Sequence, residues 1–550
     1  MRKLLLLSLI VLIVSVLVCH VKEVAYLAKA DIYPTPRTTW EKTYGGVDSD
    51  SAGCVVQTSD GGYLLAGQTF SLDNEPWMSK AWLLKTDCSG NVLWNRTYDG
   101  MGYGTVAHTV IQTGDDGYAL AGYTSLSGGD DYDFWLAKTS VSGNMLWNRS
   151  YDGGASDQAY SLVETSDGNY VLGGTVLSFD GGSWGWLIET DSSGNALWNQ
   201  TFKVMIDEQE MESSIHCVIE NSEDGFLLVG ATDSLNATYN SDVWLMKTDA
   251  SGNMLWNKKY HGGDENDLAY SVIETGDGGY ALAGYTTNEI EDTWLIKTDI
   301  DGNILWNKIY RGFESDSAQH LVETVDGGYA IAGNTYSRDP LYINDAWLMK
   351  TDSSGNSLWS KNYSGPEYES ILCLIQTNDE GYALAGVKFV SEDEGYDCWL
   401  IKLGPDPAPL VTNTYSLNVD GYAFTVIAVT NSTMSNIDAS DVSTTRNMSF
   451  SLEGDRGTSM CNITLPNSLL GGPYVLTVGG NPPWESAATV VNATHTALYF
   501  AYNGTGKYSV EIVGATAVPE FSFPMAMLVY AILALIVVGF KRKAIRFLST

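Results

Sequence analysis

Along residues 40–404, short apolar runs rich in Val, Ile, Tyr, Trp and Thr alternate with clusters of Gly, Asp, Asn and Ser, the pattern of strands separated by tight turns. Within one period the runs are Ala269–Thr275, Tyr280–Thr286, Thr293–Thr298 and Ile304–Tyr310. Asp277-Gly278-Gly279 predicts the first hairpin turn, since Gly tolerates the positive φ that tight hairpins need, and Asp299-Ile300-Asp301-Gly302-Asn303 predicts the third. Three marks recur seven times each. A Trp with an aromatic four residues later stands at Trp40, Trp94, Trp147, Trp198, Trp256, Trp306 and Trp359, at spacings of 54, 53, 51, 58, 50 and 53. Asp-Gly-Gly-Tyr or a variant ends at Tyr63, Tyr118, Tyr170, Phe226, Tyr280, Tyr329 and Tyr382. Trp-Leu-x-Lys-Thr-Asp or a variant starts at Trp82, Trp135, Trp186, Trp244, Trp294, Trp347 and Trp399.

Four antiparallel strands in each period of about 50 residues describe a propeller blade. A solenoid of the same repeats would leave two exposed sheet ends. The array opens on an isolated fourth strand, Trp40–Tyr44, and stops after a third, Trp399–Leu403, so pairing the two completes the last sheet and removes both edges. The expectation is an all-β chain: a seven-bladed β-propeller over 40–404 with N-terminal-strand closure, a Pro-rich linker at 405–409, and a small β-sandwich at 410–516. In the last, strand-like runs occur at Tyr422–Val429, Met448–Leu452, Cys461–Leu465, Tyr474–Val478, Leu498–Tyr502 and Tyr508–Val513.

The two ends read differently. Arg2-Lys3, the apolar run Leu4–Val18 and Ala28-Lys29-Ala30 have the layout of a signal peptide over 1–30. Phe521–Phe540 is long enough to cross a bilayer as a transmembrane helix, and the basic tail Lys541-Arg542-Lys543 would hold its end in the cytoplasm, with everything before it outside. With Val518-Pro519-Glu520-Phe521 in front, the segment 519–550 resembles the PEF-type C-terminal sorting signals of archaeal surface proteins, which implies a sorting enzyme as a partner. The localisation expected is the cell surface, anchored in the cytoplasmic membrane.

Sixty-six Asp and Glu against thirty Lys and Arg give a formal charge of −36, which excludes a nucleic-acid partner because phosphate binding needs a dense positive face. The acids concentrate at the passages between periods, as Asp48 and Asp50, Asp152 and Asp157, Asp264, Glu265 and Asp267, Glu314 and Asp316, Glu367 and Glu369. Variable loops add Asp130, Asp131 and Asp133, Glu289, Glu291 and Asp292, and Glu392, Asp393 and Glu394. Asp264, Glu265 and Asp267 are the candidate metal ligands, and calcium, which prefers oxygen donors, is the one cofactor this face suits; plain solvated charge is the competing reading. One equivalent first-strand position carries Gln57, Gln112, Glu164, Glu220, Glu274, Glu323 and Gln376, a ring that either lines a channel or bonds to the adjacent blade. A third-strand position carries Lys85, Lys138, Lys247, Lys297, Lys350 and Lys402, with Glu189 departing, and these read as solvated or as partners of the inner acids. Cys54, Cys217 and Cys373 share a position and read as small packed residues, and with no CxxC spacing the seven cysteines make neither a zinc site nor a disulfide framework. His108, His216, His261, His320 and His495 fall in different units, with no hydrolase, nucleotide or haem motif. Sequons at Asn95, Asn148, Asn199, Asn236, Asn362, Asn431, Asn447, Asn462, Asn492 and Asn503 are glycosylation candidates.

Asp87-Cys88-Ser89-Gly90-Asn91-Val92-Leu93-Trp94 resembles the Asp-x-x-Thr-Gly-x-x-x-Trp docking motif of quinoprotein-type propellers, without the Thr. The resemblance implies that the seven repeat tryptophans pack between blades. The repeats are also similar to uncharacterised propeller repeats of archaeal and bacterial surface proteins. The resulting expectation is an exported, non-catalytic surface module that binds a cell-envelope protein or glycan; the alternative is an extracellular quinoprotein-like or hydrolytic enzyme.

Overall fold

A computed structural model describes residues 35–516 except 72–77, 101, 103, 126–130, 180, 207–208, 234–239, 264, 289, 312–314, 338–342, 364, 366, 392–394, 408–410, 420–421, 431–432, 439–446, 455–457, 467–470, 479, 481–484, 493–494 and 504–505. The signal peptide at 1–30, the anchor segment at 519–550 with its span at 521–540, Asp264, and the sequons Asn236 and Asn431 lie outside the described residues. Among the described residues every regular element is a strand, and no helix is long and apolar enough to cross a membrane.

The chain divides between Asp406 and Pro407 into two compact units. The first is propeller-like, built from repeated four-stranded antiparallel sheets. In the fifth sheet the strands are Asp267–Glu274, Tyr280–Thr287, Glu291–Thr298 and Ile304–Tyr310. Six such sheets use consecutive strands. A further sheet joins Glu369–Gln376, Tyr382–Ser391 and Gly395–Leu403 to Thr38–Tyr44 from the other end of the chain, with Thr43 opposite Trp399 and Lys42 opposite Leu400. The long Trp198–Trp256 spacing is an extra hairpin, Val204–Ile206 with Gln209–Met211.

Burial explains the pattern in the sequence. Second and third strands are covered on both faces by neighbouring sheets, so their apolar runs are nearly continuous, as in Tyr118–Ser125 and Tyr132–Thr139. Fourth strands such as Val92–Tyr98 are largely exposed, with the Trp half-buried and the aromatic four residues on buried. First strands pack side by side in the order of the chain, and Asp50–Gln57 of the first sheet also lies against Glu369–Gln376 of the last. One core accordingly joins Tyr44, Val55, Tyr63 and Leu65 to Ala383, Ala385, Cys398 and Leu400. Each first strand carries a bulge, which leaves Gly53, His108, Tyr160, His216, Tyr270, Gln319 and Leu372 without a partner in the ladder.

The second unit holds two sheets, one of five strands and one of four, around a single core in which Val426, Ile463, Leu498 and Phe500 meet Met448, Phe450, Leu452, Val510 and Ile512. Among the described residues, three of its nine strands, Val411–Val419, Thr433–Asp438 and Glu485–Asn492, have no counterpart among the apolar runs read from sequence.

Candidate functional site

Most of the repeated polar groups hold neighbouring sheets together. Each member of the Gln/Glu ring accepts a backbone N–H from the first-hairpin turn of the sheet before it: Gln112 from Ser59, Glu164 from Gly114, Glu220 from Ser166, Glu274 from Ser222, Glu323 from Gly276 and Gln376 from Val325. Gln57 accepts from Asn378 at 2.8 Å, across the two ends of the array. The lysines are neither solvated nor paired with this ring. They are buried and reach the acid of their own hairpin turn, as Lys85 to Asp60, Lys138 to Asp115, Lys247 to Glu223, Lys297 to Asp277, Lys350 to Asp326 and Lys402 to Asp379. Lys138, with Thr113 and the Gly117 N–H, holds the Asp115 carboxyl down at about 2. Where Glu189 replaces the Lys, Asn169 replaces the turn Gly and donates to it at 2.7 Å.

Each Trp packs across a sheet boundary, as Trp94 does on Tyr118 and on Gly143, whose φ of 74° favours glycine and whose missing Cβ leaves room for the ring. The partner aromatic assists, with Tyr98 donating its O–H to Gly143 O at 2.7 Å. Trp359 has no such turn to meet. Its Nε1–H donates to Asp406, which also accepts from Tyr382, so Asp406 is held against the array.

The bulges assemble a group that the sequence spreads over 163 residues, from His108 to Tyr270. His108 stacks on Tyr160 with ring centres 5.2 Å apart, Tyr160 meets His216 edge-on at 6.0 Å, and His216 stacks on Tyr270 at 5.0 Å. Tyr123 and Tyr285 flank the row. The Ala159 and Ala269 carbonyls can only accept, so His108 and His216 donate to them from Nδ1 and leave Nε2 as an acceptor; Ser214 lies 3.1 Å from Nε2 of His216. Burial lowers both imidazole pKa values, which keeps them neutral at pH 7. The row presents half-buried aromatic faces interleaved with neutral acceptors, a surface suited to stacking an apolar ring face and accepting its hydroxyls. Sequence separation hid it, and the only available signal was the aromatic residue just before the position of Cys54 and Cys217.

The acids divide into two sets. Asp267 does not join Glu265, which is exposed; it is buried and accepts from Gly262 at 2.7 Å and Gly263 at 3.4 Å, capping the passage between sheets. Its neighbours are Asp242 and His261. Of the three candidate ligands read from sequence, Asp264 lies outside the described residues, and Asp267 groups with His261 and with Asp242, which the third strand of the preceding sheet delivers. Asp133, Asp152 and Asp157 come together in the same way two boundaries earlier. Burial, then the charges of Asp152 and Asp131, raise Asp133 to about 6, and burial raises Asp157 to about 7. Among the sequons, Asn95, Asn199, Asn362 and Asn462 are exposed and Asn148 and Asn447 are half-buried; Asn492 and Asn503 are in strands.

No family model matches the chain, and no curated protein sequence does. Its fold is similar to that of several solved structures. A protein of unknown function from Dyadobacter fermentans shares 11% identity over 67% of this chain and 100% of that one, with a TM-score of 0.41. A polysaccharide lyase, the PL25 ulvan lyase, shares 11% identity over 66% and 97%, with a TM-score of 0.45. Sqt1 from Chaetomium thermophilum shares 11% over 72% and 96%, with a TM-score of 0.37.

Proposed function

We propose that residues 40–404 form a seven-bladed propeller closed by its N-terminal strand, displayed outside the membrane by an exported and anchored chain, where it binds a cell-envelope glycan or protein without catalysis. The observation that carries this reading is the row His108–Tyr160–His216–Tyr270. Its rings meet one another across the boundaries between sheets, yet all four residues stay half-buried, so part of the row remains open to a ligand. Aromatic faces with neutral acceptors suit a pyranose ring, whose C–H face stacks while its hydroxyls are bonded. A glycan and surface-protein binding screen tests it: wild type should retain a glycan that Tyr160→Ala and Tyr270→Ala each release at least tenfold more readily. A screen without binders, or binding unchanged in both variants, overturns the reading.

The enzyme alternative has one observation in its favour, the neutral imidazole of His216 with Ser214 at its Nε2. Incubation with pyrroloquinoline quinone and calcium, and separately with ester and glycoside substrates, distinguishes it. A quinone spectrum with alcohol-dependent dye reduction, or hydrolysis lost in His216→Ala, would favour the enzyme.

A further inference from the structure

Every passage from one sheet to the next carries three equivalent positions: two residues before the third-strand Trp, the residue just after the fourth strand, and the start of the next first strand. Their occupants differ from boundary to boundary. At one boundary they are Lys80, Asp99 and Thr105, with Lys80 Nζ 3.1 Å from Asp99 Oδ1. At another they are Asp292, Arg311 and Asp316, with Arg311 Nε 3.2 Å from Asp292 Oδ2. At a third they are Asp242, His261 and Asp267, with His261 Nδ1 2.9 Å from Asp242 and 3.5 Å from Asp267. In each of these the protein places a cationic or protonatable side chain beside the acids.

At Asp133, Asp152 and Asp157 all three positions are acidic, and one ligand atom from each lies within 4.8 Å of the others. Asp133 is 4% exposed and Asp157 is fully buried. Asp157 spends Oδ2 on the Gly153 and Gly154 N–H groups, but Asp157 Oδ1 and Asp133 Oδ2 are buried and accept no hydrogen bond. The segments around them, 109–137 and 150–202, contain no Lys, Arg or His. Buried carboxylate oxygens without donors carry a heavy desolvation cost, and three acids at this distance add mutual repulsion. The same pocket at three other boundaries meets its acids with a basic side chain.

We propose that Asp133, Asp152 and Asp157 bind one calcium ion, which supplies at this boundary the positive charge that Arg311, His261 or Lys80 supplies elsewhere. The donors are oxygen only, the set that calcium favours over the softer transition metals, and exposed Asp152 leaves a side open for water and carbonyl ligands to complete six to eight. The ion would tie the third strand of one sheet, the connection and the first strand of the next. The inference is independent of the glycan reading.

Terbium, an oxygen-seeking calcium substitute, is the probe on the full chain, because Trp186 lies against Gly153 and would sensitise its emission. Wild type should show saturable terbium luminescence displaced by calcium, and a calcium-dependent rise in melting temperature beyond an ionic-strength control. Asp152→Asn should weaken binding at least tenfold. Asp152→Arg should abolish it and, in chelator, melt above wild type, because the arginine places in the pocket the charge the ion brings. Asp152 is on the surface, so both variants should fold. Absence of calcium-displaceable luminescence in wild type, or its retention in both variants, overturns the proposal.

Discussion

Lys350 shows how far a side chain can depart from what its type suggests in sequence. It is 1% exposed, and Nζ bonds both oxygens of Asp326, at 2.9 and 3.0 Å, and Thr351 O at 2.9 Å. A lysine on a strand reads as solvated until the hairpin that folds Asp326 back over it is in place, which is why the residue was legible but its role was not. Lys350→Ala should cost about 2–3 kcal/mol, from the void and from an acid left half-compensated, whereas Lys350→Met fills the volume and should cost about 1 kcal/mol. Urea midpoints at constant slope measure both, and a wild-type midpoint for the Ala variant would return the lysine to solvent. Asp157 carries the opposite kind of charge. Folded, it keeps its proton up to about 7, whereas an unfolded aspartate sheds it near about 4. The folded state thus binds more protons in that window, and stability is lost as pH rises through it. The groups facing Asp157 are Asp133 and Asp152 with the Gly153 and Gly154 N–H groups, and Asp131 acts on Asp133, so no neighbour reverses the sign. In chelator, the melting temperature of wild type relative to Asp157→Asn should fall from pH 4 to pH 7, and calcium should flatten the slope; a difference that rises with pH would refute the assignment.

At the level of strands and turns, the hairpins were readable because their chemistry is local. Ile304–Tyr310 matches its sequence bounds, and the neighbouring strands differ by one or two residues. The positive φ at Gly90, Gly143, Gly194, Gly252, Gly302 and Gly355 follows from the turn type, but the reason no other residue fits lies in the next-door sheet, where a Trp ring covers each of them. A Cβ on Gly143 would stand 2.6 Å from the Trp94 ring. Gly143→Ala should therefore add the left-handed backbone penalty to a displaced aromatic, about 2–4 kcal/mol together. Gly168 has the same sign of φ, at 79°, with nothing within 4 Å, so Gly168→Ala should cost only the backbone part, about 1–2 kcal/mol. Equal melting temperatures for the two variants would show that the tryptophans do not clamp the turns. The bulges are the element-scale feature that sequence withheld. A bulge adds a residue without changing the alternation enough to be seen, yet it decides that His108, Tyr160, His216 and Tyr270 share one surface.

The proposed closure would be a property of the whole array, and its logic follows from counting strands: a fourth strand too many at one end and one too few at the other. What counting could not supply is the chemistry of the seam. Thr38–Tyr44 pairs with Gly395–Leu403, Gln57 accepts from Asn378, and Cys54 Sγ lies 4.0 Å from Cys373 Sγ across 319 residues of chain. The Cys373 thiol donates toward Cys54 Sγ, which lowers the Cys54 pKa while that of Cys373 is raised. These cysteines make the closed ring testable without engineering. Diamide takes two electrons and two protons from a thiol pair and is reduced to the hydrazine as the disulfide forms; on the native chain it should yield a Cys54–Cys373 linked peptide, found by mass spectrometry of an unreduced digest. Deleting residues 40–44 removes the strand that covers Gly395–Leu403, exposing a sheet edge and loosening the seam. The deletion should lower the melting temperature of the array and slow formation of the linked peptide at least tenfold. A native chain that gives no Cys54–Cys373 peptide, or a deletion that leaves both the melting and the linking rate unchanged, would mean the ring is held by something other than its first strand.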